Sequence, residues 1–162
     1  MNAPLALALD PKLDLVLERT VDVPPDLVWR AWTEPELLKQ WFVPRPWTIK
    51  EVELDLRPGG VFRSVMRSPE GQDFPNTGCV LDVVPKTRLV FTEALGPGYR
   101  PLQSEMPFTA VIDITPDGKG GTHYVATAIH RDDAGRKQHE EMGFHQGWGT
   151  AFDQLVEVVR GM

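Results

Sequence analysis

A chain of 162 residues suits one domain, large enough to bury about two-thirds of the surface its unfolded form exposes. Its formal net charge of −6, with no basic run, excludes nonspecific attachment to nucleic acid. A single cysteine, Cys79, excludes an internal disulfide and fits a reducing compartment, so the expected location is cytoplasmic.

Residues Met1 to Leu9 are apolar but carry no Lys or Arg, and the run is too short for a secretory signal or a membrane span. Residues 1–11 are therefore expected as an N-terminal tail ending at Asp10-Pro11, and 12–162 as a single domain. Leu13, Leu15, Leu17, Val21 and Val23 alternate with polar residues, which predicts a strand with Arg19 standing on its apolar face. Pro24-Pro25 ends it. Asp26 suits the positive end of a helix, and Leu27 to Thr33 reads as a short one containing Trp29 and Trp32. Thr33-Glu-Pro-Glu36 matches a capping box, predicting a second short helix to about Trp41. Pro44 and Pro46 mark a loop.

The pattern then turns to β. Strands are expected over 49–56, 61–67, 78–84, 88–93, 108–115 and 122–129. Turn chemistry separates them: Arg57-Pro-Gly-Gly60, Pro69-Glu-Gly-Gln72, Pro85-Lys86, a longer loop from Gly96 to Pro107, and Pro116-Asp-Gly-Lys-Gly-Gly121. Successive hairpins predict an antiparallel sheet. Asp132 or Asp133 can cap one long final helix. Met142, His145, Gly149, Phe152, Val156 and Val159 recur at spacings of three and four, beside a second row from Phe144, Trp148, Ala151, Leu155 and Val158. That is a wide apolar face. Gly143, Gly147 and Gly149 each cost about 1 kcal/mol relative to alanine inside a helix. Their presence predicts close approach to the sheet, with the backbone at Gly147 pressed against it.

Candidate chemistry is sparse. His139 and His145 stand six apart, roughly 120° around a helix, which is poor for sharing a metal; no His-Glu-x-x-His motif occurs, and no metal or other cofactor is expected. His145 falls in the apolar row and should face inward, as a hydrogen-bonded core histidine or a polar group in a cavity. Arg19 is expected to pair with a carboxylate such as Glu93 or Asp113. Ser64 and Ser104 lack the context of a nucleophile. Gly59-Gly60 lacks the Lys-Ser/Thr of a phosphate loop.

Several segments together resemble a known family: Arg19-Thr-Val-Asp-Val-Pro-Pro25, Val28-Trp-Arg-Ala-Trp-Thr-Glu-Pro-Glu-Leu-Leu-Lys-Gln-Trp41, Asp55-Leu-Arg-Pro-Gly-Gly-Val-Phe62, Gly78-Cys-Val-Leu-Asp-Val-Val-Pro85, Arg88-Leu-Val-Phe-Thr92 and Gly143-Phe-His-Gln-Gly-Trp-Gly149. The chain is similar to the START-like, or helix-grip (SRPBCC), superfamily, and within it to relatives of the activator of Hsp90 ATPase. The resemblance implies an α+β fold: a curved antiparallel sheet of six to seven strands around a long C-terminal helix, with two short helices after the first strand.

The expected function is binding of a small hydrophobic or amphipathic molecule between sheet and helix, without chemistry. Expected lining residues are Trp41, Phe62, Ser64, Met66, Leu89, Phe91, Met142, His145, Gly149 and Phe152. A cyclase- or hydrolase-type enzyme in the same cavity is one alternative, and would need inward ionisable groups. A chaperone-linked regulatory module is another, and would need an exposed apolar patch. The expected partners are the small ligand and, among macromolecules, a second copy in a homodimer, with neither nucleic acid nor membrane.

Overall fold

The computed structural model describes residues 7–162; most of the expected tail, residues 1–6, lies outside them. The elements are β1 (Asp14–Val21), α1 (Pro25–Thr33), α2 (Pro35–Leu38), β2 (Thr48–Leu54), β3 (Val61–Arg67), β4 (Asp73–Val84), β5 (Arg88–Thr92), β6 (Leu95–Gly96), β7 (Arg100–Pro101), β8 (Phe108–Pro116), β9 (Thr122–His130), α3 (Asp133–Glu141) and α4 (Phe144–Arg160). Seven strands form one antiparallel sheet in the order β1-β9-β8-β5-β4-β3-β2. β6 and β7 make a separate small ribbon inside the loop between β5 and β8. The strands from β2 onward follow one another as hairpins, and β1 returns to close on β9. This is the α+β helix-grip architecture that the order of elements predicts.

Three local outcomes differ from the sequence expectations. First, β4 begins at Asp73, well before Gly78. Pro75 disguises the strand, because it removes a ladder donor. It is tolerated because residues 73–77 pair with β3 only; β5 joins from Cys79 onward. Second, Thr33 is not the cap of α2. Its hydroxyl donates to the Trp29 carbonyl oxygen at 2.8 Å, and Glu34 takes the N-cap position. Third, the expected long helix is two helices. Asp132 caps α3, accepting from the Gly135 N–H at 2.7 Å. The chain then breaks at Gly143, whose φ of 95° is left-handed, and restarts as α4. An L side chain rarely adopts that conformation, so glycine is needed there as a joint.

Packing follows from the apolar rows. α4 lies against α1 and β1, and α1 lies against β8. Leu155, Val28, Ala31, Ile112 and Ile114 are fully buried in the shared core. Fully burying one such aliphatic side chain stabilises the fold by roughly 1.5–3 kcal/mol. On the outer face Arg88 and Asp113, directly opposite in register, join β5 to β8 through a 2.7 Å ion pair.

Candidate functional site

Strand alternation brings three rows of side chains under the N-terminal half of α4. On β3, Phe62, Ser64 and Met66 share one face; on β4, Asn76 and Gly78 do; and Leu89, Phe91 and Glu93 continue one line along β5 and past its end. Gly78 is required where it stands, since a Cβ would lie 2.5 Å from the Thr92 carbonyl oxygen. Above these rows lie His139 of α3, Met142 and Gly143 at the joint, and Phe144, Gly147, Trp148, Ala151 and Phe152 of α4. Trp32 of α1 and Trp41, Phe42, Val43 and Pro44 of the loop after α2 close one side. Together with Leu17, Phe108 and Tyr124, these residues, Leu89 excepted, enclose a cavity of about 320 Å³.

Aromatic rings set its shape. Phe62 and Phe91 stack with centroids 4.3 Å apart, Tyr124 and Phe152 at 4.2 Å, and Phe144 and Trp148 at 4.5 Å. The polar ends of Trp32 and Trp41 are satisfied in the wall. Trp32 Nε1 donates to the Tyr124 hydroxyl at 3.1 Å, and Trp41 Nε1 donates to the Ala31 carbonyl at 2.9 Å. Burial pushes the Tyr124 phenol up, so it stays protonated. The loop wall is fixed by buried Gln154 of α4. Its Nε2 donates to the Trp41 and Val43 carbonyls at 3.0 and 2.7 Å, and its Oε1 accepts from the Arg45 N–H at 2.9 Å.

Two ionisable groups reach the cavity besides Tyr124. His139 sits in an aromatic setting beside Phe108 and Phe144, and its Nδ1 lies 2.9 Å from His130 Nε2. His130 Nδ1 is 2.8 Å from the Leu13 carbonyl and donates to it; in the neutral ring that leaves His130 Nε2 to accept from His139 Nδ1. Burial first, and His130 second, lower the His139 pKa from 6.5 to about 4. It is neutral at neutral pH. Glu93 is half-buried, and burial raises its carboxyl pKa. Among the described residues its carboxylate has no hydrogen-bond or ion-pair partner.

Seven of the ten residues expected to line a site do line this cavity: Trp41, Phe62, Ser64, Met66, Phe91, Met142 and Phe152. Met142, 68% exposed, stands at the mouth. Leu89 shares a face with Phe91 but is fully buried in the core beyond the cavity. Gly149 faces β1, where a Cβ would meet Arg19 Nη2 at 3.3 Å and Leu17 at 3.9 Å. His145 points outward, exposed, with Glu140 at 3.6 Å. It shares a row with Gly149 and Phe152, but in the first turn of α4 it is Phe144, not His145, that is buried. The close approach expected at Gly147 also moves: a Cβ there would meet nothing within 4 Å. Arg19 pairs with neither Glu93 nor Asp113; it is exposed and donates to the Glu18 carbonyl at 3.0 Å.

Sequence reasoning missed His139 and Glu93 as cavity residues. The alternation of Leu89, Phe91 and Glu93 carried the signal for the second. Nothing in the spacing showed that His139 would find His130. Among the described residues no three His, Cys, Asp or Glu side chains converge to hold a metal ion, and no helix is long and apolar enough to cross a membrane.

Comparison with known proteins gives a consistent answer. The profile of the activator of Hsp90 ATPase homolog 1-like protein family matches residues 22–160. A crystal structure of a protein from Nitrosomonas europaea is 52% identical, with a TM-score of 0.90 over 94% of this chain and 97% of that one. A Rhodobacter sphaeroides protein, 22% identical, superposes with a TM-score of 0.83 over 96% and 97% of the two chains, which speaks to fold alone. The AHSA1 protein of Silicibacter pomeroyi is 25% identical, with a TM-score of 0.67 over 92% and 99%. No curated protein matches. The profile match over most of the chain, together with the close Nitrosomonas relative, is decisive: this chain belongs to the activator of Hsp90 ATPase homolog 1-like family of helix-grip proteins.

Proposed function

We propose that the protein binds a small hydrophobic or amphipathic molecule in the cavity under α4, and does no chemistry on it. The observation that carries this reading is the cavity itself: about 320 Å³, walled by aromatic rings, with the Trp32 and Trp41 N–H groups already bonded within the wall. An apolar enclosure with few convergent polar groups is the usual form of a small-molecule site. A ligand there would replace no internal hydrogen bond and would gain dispersion contacts on every side. Ser64 and Asn76 could orient it.

Native mass spectrometry of protein purified from its own host tests this directly, and a small molecule travelling with the chain is expected. Protein stripped by partial unfolding and refolding should then bind phenylbutanol in calorimetry, with a negative heat-capacity change from apolar burial. Absence of both a travelling molecule and measurable phenylbutanol binding would defeat the proposal.

A further inference from the structure

We infer that the cavity selects ligands carrying a protonated amine on a hydrophobic body, with Glu93 as the counter-charge. This rests on the cavity being a binding site. Four observations point to it. Glu93 follows Phe91 by two residues on the inward face and lines the cavity. Its position is fixed by the backbone, because the Glu93 N–H donates to the Phe108 carbonyl at 3.1 Å. Its carboxylate has no protein partner among the described residues, whereas every other carboxylate that the structure pairs meets its cation outside the cavity. The lining contains no Lys, Arg or Asp, and its one histidine, His139, is held neutral.

The surroundings favour a cation over a neutral donor. Phe62 and Phe91, stacked on each other, line the same cavity as Glu93, and Phe108, which also lines it, is bonded to Glu93 through the backbone. Ring faces attract a desolvated ammonium group, and a carboxylate beside it supplies charge-assisted hydrogen bonds. Burial raises the Glu93 pKa, and an ammonium group beside the carboxylate would act in the opposite direction. An anionic ligand would meet the reverse: an uncompensated like charge and no donor cation.

Phenylbutylamine, phenylbutanol and phenylbutanoic acid share one hydrocarbon body and differ at the head. Calorimetric titration of each into the intact protein at neutral pH should rank them amine, alcohol, acid, with the amine ahead of the alcohol by about tenfold or more. Glu93→Gln keeps the shape and removes the charge. It should bring the amine's affinity down to the alcohol's and leave the alcohol's unchanged. Equal affinity for amine and alcohol in the native protein overturns the inference while leaving the cavity as a general hydrophobic site. So does an amine preference that survives Glu93→Gln. If none of the three binds, the binding reading fails and this inference with it. The comparison within native protein needs no variant, so a poorly folding Glu93→Gln does not spoil the test.

Discussion

From Ala151 to Val159, α4 presses its inward side chains into the core: Leu155 is fully buried, and Phe152 and Val159 nearly so. From Phe144 to Gly147 the same helix spans an open space above β3, β4 and β5. Helical geometry is shared, so the difference lies in side-chain volume. The C-terminal half offers Leu155, Val156 and Val159 to its neighbours. The N-terminal half offers Gly147, with no side chain, between rings that prop up the edges of the space. Close packing in one half holds the helix in place; the missing volume in the other makes the cavity. The helix is kept aloft by aromatic pillars, Phe144 and Trp148, that are too rigid to collapse inward.

The largest test of this contrast is Leu155→Ala. It removes fully buried volume from the filled half and should cost about 2–5 kcal/mol, read as a lower denaturant midpoint with an unchanged slope. A loss under about 1 kcal/mol would mean that the filled half is not holding the helix down. The second test concerns pH. His139 has a folded pKa near 4 against an ordinary 6.5, so as pH falls the unfolded chain takes up this proton first. Stability from keeping His139 neutral is complete above about pH 6.5, is lost between 6.5 and 4, and does not change further below that. His139→Phe should flatten that part of the stability–pH curve. An identical slope in both proteins would detach His139 from the cavity wall's acid sensitivity. The smallest expected change in stability, and the most informative for the open half, is Gly147→Leu. Leucine gains helix propensity of about 0.5–1 kcal/mol, and its side chain enters empty space. Stability should hold or rise slightly while phenylbutanol binding is lost. A falling midpoint would place the backbone against the sheet after all.

Much of the sheet was legible because one buried face enforces a period of two. β3 runs from Val61 to Arg67, the boundaries its alternation predicts. The joint at Gly143 was not legible. A glycine tolerated inside a helix and a glycine serving as a left-handed joint look the same in sequence; only the backbone angle separates them. That ambiguity hid the start of α4: His145 falls in its first turn and is exposed, while Gly149, Phe152 and Val156 of the same row are buried. Arg19 and Glu93 failed as a pair for a different reason. Both stand on inward faces, but β9 and β8 lie between β1 and β5, a lateral distance of about 14 Å at ordinary strand spacing. Alternation gives the face of a residue and says nothing of how many strands separate two residues. Within the cavity the sequence marked the large apolar residues, whose burial is common to core and site. The ionisable ones were harder, because their role depends on which neighbours arrive to meet them.

Gln154 turns the loop after α2 into a wall. One amide side chain satisfies the carbonyls of Trp41 and Val43 and the N–H of Arg45, doing for an irregular segment what a neighbouring strand does for a sheet edge. The loop's conformational freedom is therefore surrendered when the domain folds, not when a guest arrives. A molecule entering past this wall has no loop to freeze, so little of its contact energy is spent on ordering the host. Affinity in such a site tracks the fit of the guest, and modest hydrophobic molecules can be held by a cavity of modest size.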